Sequence, residues 1–297
     1  MKFNRLLFAT ALCTVAVSGA MAAEVDYAPE NTDLILRVDG TKVARGKAWA
    51  DFKASKEFAK CEQDMHDLLA KSGVTVDDIL KSVVCAFADT RNDGPNIDLV
   101  VGNPKIASGT ALAWLDSEQN GTAEKTLIDG KEARVVRNGS RVWTAIALEG
   151  DLCQMSLHSA PAKALTRRTG NALAGAVDMG AAVSLAYKGS PASYEALNRT
   201  LPQIAPFLIG MDTATASLNE NDGAIRLDAE LRFQDEQNAQ NIESQLNMLL
   251  VVGMMSWQKK EPEKVDVLQR FRITRRDKSV LVNFDCPAAL LKTAFAD

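Results

Sequence analysis

Short glycine turns constrain this chain more than any other feature. Asp129-Gly130, Asn138-Gly139, Gly150-Asp151 and Asn221-Asp222-Gly223 each separate runs in which apolar and polar residues alternate. Asn-Gly and Asp-Gly supply the positive φ values that two-residue hairpins need, so strands on either side are obliged to pair antiparallel. Residues 126–128, 132–136, 141–148 and 152–158 therefore read as a meander. Residues 224–233 alternate most regularly of all, and 270–274 face 279–284 across Arg276-Asp277.

Between these hairpins lie helical stretches. Residues 47–71 place Phe58, Cys61, Met65, Leu68 and Leu69 on one face, and Gly73 ends the run. A short helical turn at 76–80 and helices over 106–115, 161–168, 190–208 (interrupted by Pro202 and Pro206), 235–257 and 287–295 are expected, with further strands at 33–38, 82–88, 97–102, 181–187 and 212–218. Both halves then read β-α-β-β-α-β with extra strands, a split β-α-β or ferredoxin-like order. The expected fold class is α+β: two similar halves, each an antiparallel sheet with helices on one face. The Gly- and Ala-rich stretch 170–180 is the expected seam. This divides the chain into a leader at 1–23, an N-terminal domain at 24–174 and a C-terminal domain at 175–297.

The leader follows from the first residues. Lys2 and Arg5 precede an apolar run over 6–17, and Ala20-Met21-Ala22 has the small-x-small pattern of a signal-peptidase site. The run is short for a membrane span, which needs about 20 apolar residues. Cleavage after Ala22 or Ala23 leaves a periplasmic or secreted chain of bacterial style with no transmembrane segment. Removing residues 1–22 leaves 32 basic against 38 acidic side chains, a formal charge of -6. An acidic chain repels phosphate backbones, so nucleic acid is not an expected partner.

The order of features resembles exported bacterial proteins catalogued only as domains of unknown function. A leader is followed by Tyr27-Ala28-Pro29-Glu30-Asn31-Thr32-Asp33 and a strand. Ile128-Asp129-Gly130-Lys131-Glu132 forms a hairpin, and the strand from Ala224 leads into a helix opening at Asp235-Glu236. The resemblance covers most of the mature chain. Such families have no agreed activity, so the resemblance implies none here.

Export gives the cysteines an oxidising compartment. Four remain after the leader: Cys61, Cys85, Cys153 and Cys286. A helix carrying Cys61 that packs back on the strand of Cys85 brings these two together, and Cys61–Cys85 is the expected disulfide. It would stabilise by about 3 kcal/mol in the chain-entropy model. Cys153–Cys286 is the second pairing considered, buried free thiols the third possibility.

Chemistry-bearing motifs are sparse. The two histidines are His66, on a helix among Glu62, Asp64 and Asp67, and His158, at a strand end beside Ser156 and Ser159. No G-x-S-x-G turn, phosphate loop, dinucleotide fingerprint or H-E-x-x-H occurs, and no C-x-x-C. No catalytic, cofactor-binding or metal-binding residue is assigned, and no cofactor is expected. Two surface features stand out. Residues 259–278 hold eight basic side chains, suited either to an anionic envelope partner or to a solvated hairpin. Residues 248–257 are apolar all round, which calls for cover on every side: protein core, or a partner or lipid. The expected function is a non-enzymatic, exported binding or envelope-assembly protein acting on an unknown protein or envelope component. An exported hydrolase with an unrecognised site and a lipid or lipoprotein carrier are the alternatives. Intact-mass measurement of the exported protein is expected to show loss of residues 1–22 or 1–23; retention of Met1 contradicts the leader.

Overall fold

The structure, a computed structural model, describes residues 24–54, 81–89, 96–102, 123–149, 152–168, 171–200, 205–258 and 261–294. In chain order the strands are β1 (Leu34–Asp39), β2 (Val83–Asp89), β3 (Asn96–Gly102), β4 (Glu124–Ile128), β5 (Lys131–Asn138), β6 (Arg141–Ala147), β7 (Leu152–His158), β8 (Val183–Lys188), β9 (Met211–Asn221), β10 (Ala224–Phe233), β11 (Phe271–Arg276) and β12 (Ser279–Pro287). The helices are α1 (Gly40–Arg45), α2 (Lys47–Lys53), α3 (Ala172–Gly175), α4 (Pro191–Thr200), α5 (Ala205–Leu208), α6 (Glu236–Trp257), α7 (Pro262–Leu268) and α8 (Ala288–Ala294). The turns at Asp129-Gly130, Asn138-Gly139 and Asp222-Gly223 close hairpins as their sequence demands, and Gly150-Asp151 lies outside the described residues. Asp129 and Gly130 have φ of 52° and 76°, the left-handed pair of a type I′ turn joining β4 to β5.

The expected pair of separate sheets does not form. All twelve strands among the described residues belong to one antiparallel sheet, ordered β11-β12-β10-β9-β8-β1-β2-β3-β7-β6-β5-β4. The split β-α-β, ferredoxin-like order fails with it, because that motif inserts a strand between the two that it joins. Here β1 and β2 are direct antiparallel neighbours, and β1 also pairs with β8 from Leu34↔Tyr187 to Val38↔Val183. The physical reason is that β1 and β8, the first strand of each half, would each leave an open edge. Pairing them satisfies both.

Side chains brace this central ladder. Arg37, wholly buried, holds the Ala181 carbonyl at 3.3 Å and Asp39 at 3.1 Å. Lys42 donates to the carbonyls of Met179 and Gly180. Glu220 on β9 accepts from the Lys47 and Ala48 backbone at the start of α2, and Lys292 on α8 reaches Asp51 at 2.9 Å. The expected seam is therefore crossed many times. The first core draws Leu173, Val177 and Ala186 together with Ile35, Cys85, Phe87, Val100 and Ile146.

Register fixes which residues share a face. The face bearing Ile35, Cys85, Val100, Ile146 and Ala133 is buried beside residues 25–28, 164–165 and 173–179. Across β8 the same face turns polar, through Thr215 and Glu230, and Arg226, Asp228 and Arg232 on it are exposed. The opposite face of the C-terminal strands carries the second core. Tyr187, Met211, Phe233 and Val280 lie there under Ala239 and Ile242 of α6.

Residues 161–168, expected as a helix, run without regular structure. Their backbone is held instead by side chains of the sheet. Ala162 N donates to Thr144 Oγ1, Ala164 N to Asp129 Oδ2, and Leu165 N to Gln154 Oε1, while Gln154 Nε2 donates to the Lys163 carbonyl. A segment supplied with such partners needs no helical bonds of its own. The expected helices beyond residue 54 and at 106–115 lie outside the described residues.

Ile35→Ala at the centre of this arrangement is expected to cost about 2–5 kcal/mol in urea unfolding. Leu127→Ala, on the outer strand β4 and 70% exposed, is expected to change stability by less than about 0.5 kcal/mol.

Candidate functional site

His158 is the one described histidine, since His66 lies outside the described residues. It ends β7 with Nε2 3.2 Å from Asp98 Oδ2 on β3. The contact is an ion pair in distance only, because the nitrogen is not aimed along a hydrogen bond. Ser156, 1% exposed, donates to the other oxygen of Asp98 at 2.5 Å. Gln154 completes the cluster, donating to Ser156 Oγ at 2.9 Å. The order is thus serine, carboxylate, histidine. Nucleophilic catalysis needs the imidazole between the other two, where it can take the hydroxyl proton. Here the carboxylate takes that place and the hydroxyl is buried, so the cluster fastens β3, β7 and residues 161–168 together.

The cysteines are chemically quiet. Cys85, Cys153 and Cys286 are free and buried. Burial raises all three thiols, Cys153 to about 12, which keeps them protonated and weakly nucleophilic at neutral pH. Cys61 lies outside the described residues. Cys153 on β7 and Cys286 on β12 stand seven strand positions apart, at about 4.8 Å per strand, far beyond the reach of a disulfide. Among the described residues no group of three or more His, Cys, Asp and Glu side chains is placed to hold a metal ion.

An open cleft of about 1170 Å³ is lined by Arg226, Asp228, Asp266, Arg270, Arg272 and Asp285, among others. Its charges largely answer one another. Arg226 pairs with Asp285 at 2.9 Å, and Asn283 donates to Asp228 at 2.6 Å. The basic stretch is partly tied down as well. Lys264 pairs with Glu261 and lies 5.8 Å over the Trp257 ring, Arg275 faces Glu243 at 3.6 Å, and Lys278 donates to the Gln234 carbonyl.

The feature without internal compensation is the second half of α6. Asp235 caps the helix through Asn238 N, and Ala239, Ile242 and Leu246 dock it on the second core. Of the two covers considered for the apolar run, protein core does not enclose it on every side. Met248 is 60% exposed, Leu249 50%, Val251 50%, Val252 53% and Met255 71%. Met248, Val251, Val252 and Met255 recur at i, i+3, i+4 and i+7, so they form one outward stripe. No charged side chain occurs between Glu243 and Lys259. Five large apolar side chains exposed together make a patch of several hundred Å², the size that marks an interaction surface on a soluble protein. No described helix is long and apolar enough to cross a membrane.

No protein-family model matches the chain, and no curated protein does. Among solved structures it is similar to TP0453. Crystal form III of that protein is 9% identical, with 91% of this chain and 96% of that chain covered and a TM-score of 0.48. Crystal form I is 10% identical, with 95% and 98% covered and a TM-score of 0.44.

Gln154→Ala removes the partner of the Leu165 N–H and the Lys163 carbonyl and is expected to destabilise by about 1–3 kcal/mol in urea unfolding. An unchanged midpoint would contradict the fastening role of this cluster.

Proposed function

We propose that the protein is an exported, non-enzymatic binding or envelope-assembly protein that docks on an apolar envelope component through the outward stripe of α6. The carrying observation is the exposure of Met248, Leu249, Val251, Val252 and Met255 on a helix otherwise seated on the core. A protein kept in water gains nothing from such a surface, so the stripe implies an occupant. A lipid surface fits its chemistry. The uncharged residues 244–257 make about 21 Å of helix, suited to lying in a bilayer interface rather than crossing it. Trp257 closes the helix and Lys259 and Lys260 come next in the sequence, an aromatic and two cations of the kind that favour the headgroup layer. A stable pair of copies buries about 800 Å² on each partner, more than this stripe offers. The hydrolase alternative loses its best candidate with the serine–carboxylate–histidine order around Asp98.

Vesicle flotation tests the reading. The mature chain is expected to float with vesicles containing anionic lipid. Val252→Glu/Met255→Glu is expected to stay in the aqueous fraction at an unchanged melting temperature, since both side chains are exposed. Flotation undiminished by the double substitution, or no flotation of the unsubstituted chain, overturns it.

A further inference from the structure

The described methionines are unevenly placed. Met248, Met254 and Met255 sit on the second half of α6, and the others are Met155, Met179 and Met211. Met211 is buried in the second core, and Met155, Met179 and Met254 are half-buried. Among them Met248 and Met255 alone are exposed. They stand at the two ends of the outward stripe, about 10 Å apart along the helix. Val251 and Val252 lie between them on the stripe and carry no oxidisable atom. A thioether has no proton to lose, so its reaction with an oxidant follows exposure, whereas a thiol must first ionise. The described thiols, Cys85, Cys153 and Cys286, are buried and held protonated, so they do not draw an oxidant away from the stripe.

We propose that Met248 and Met255 form a reversible oxidation site that controls docking through α6: as thioethers they hold the helix on a lipid surface, and as sulfoxides they release it. The inference rests on the reading of α6 as the docking helix of an exported protein. The oxidant is a peroxide. The thioether sulfur gives a lone pair to one peroxide oxygen, and the O–O bond breaks as the S–O bond forms. The hydroxide that leaves takes the proton from the new sulfur-bound hydroxyl and departs as water. The sulfur is oxidised by two electrons and the peroxide reduced by two. The return step takes two electrons and two protons from a dithiol and again releases water, as methionine sulfoxide reductases do.

Each sulfoxide sets a strong hydrogen-bond acceptor at one end of a stripe that otherwise meets acyl chains, where no donor answers it. In water the same oxygen is fully solvated. The change therefore weakens docking and leaves the fold alone, because neither side chain is packed in the core.

The experiment treats the mature chain with mild hydrogen peroxide, quenched before lipid is added. Peptide mass is expected to show an added oxygen on Met248 and Met255 ahead of Met155, Met179 and Met211; the opposite order overturns the proposal. Flotation then uses vesicles of phosphatidylethanolamine and phosphatidylglycerol. An untreated chain that does not float overturns the docking reading, and the switch with it. The oxidised chain is expected to partition about tenfold or more weakly, at an unchanged melting temperature. Met248→Leu/Met255→Leu keeps the apolar stripe without its sulfur and is expected to float equally before and after peroxide. Undiminished flotation of the oxidised chain overturns the switch and leaves the docking reading standing. So does a loss of flotation shared by the double leucine variant, or one accompanied by a fall in melting temperature. If the leucine variant does not fold, repair decides: flotation is expected to return once both sulfoxides are reduced enzymatically, and flotation that stays lost overturns the proposal.

Discussion

The pairing of β1 with β8 sets the position of every other strand. Each side of the sheet is a succession of antiparallel neighbours that starts from one of these two, so their register propagates outward through all eleven ladders. Alternation on a sheet has a period of two, and a slip of one residue at this ladder would turn Ile35 and Ala186 out of the first core. The chain guards against that slip with charge as well as apolar packing. Arg37 cannot leave its place without abandoning both Asp39 and the Ala181 carbonyl inside the protein, where unpaired charge is most costly. A buried ion pair of this kind adds little net stability, but it makes the wrong registers expensive.

The central ladder also accounts for the different character of the two sides. Strands β2, β3, β7 and β6 bury residues on both faces, as Cys85 with Val84 and Ile146 with Ala145 attest. Strands β9 and β10 bury one face only, which leaves Arg226, Asp228, Glu230 and Arg232 in water. One sheet thus passes from an enclosed region to a half-open one, and α6 rests on the half-open side. Its first turns find enough apolar surface to settle on; from Met248 onward its outer face has no cover.

What the sequence made legible was local. Hairpins at Asp129-Gly130 and Asp222-Gly223 were readable because their dihedral needs are met by adjacent residues, and β10 because its alternation is complete. The β1–β8 pairing was not, since it joins residues about 150 positions apart and no short pattern records such a meeting. Nothing in Pro161 to Arg168 announces that Gln154 will stand in for a backbone partner, so its helical propensity was misleading. The α6 run was legible, but the choice between core and partner or lipid as its cover was not: an apolar sequence states that cover is needed, and the fold decides whether the same chain provides it. Asp98 escaped notice because its role depends on β3 lying beside β7.

The distance along the chain between β1 and β8 has a kinetic consequence. A polypeptide emerges from the ribosome, or from a membrane pore, with its amino end first. By the time β7 is out, the first seven strands can assemble on one side, but β1 still shows a bare edge of hydrogen-bonding groups. Only the arrival of β8 closes it, and closing so long a loop is slow compared with zipping a hairpin. During that interval the edge accepts any β8-like strand, including one from a neighbouring molecule. Crowded, half-emerged copies are therefore the state in which exchanged dimers arise, and a holding chaperone has most to gain by acting before residue 183 appears.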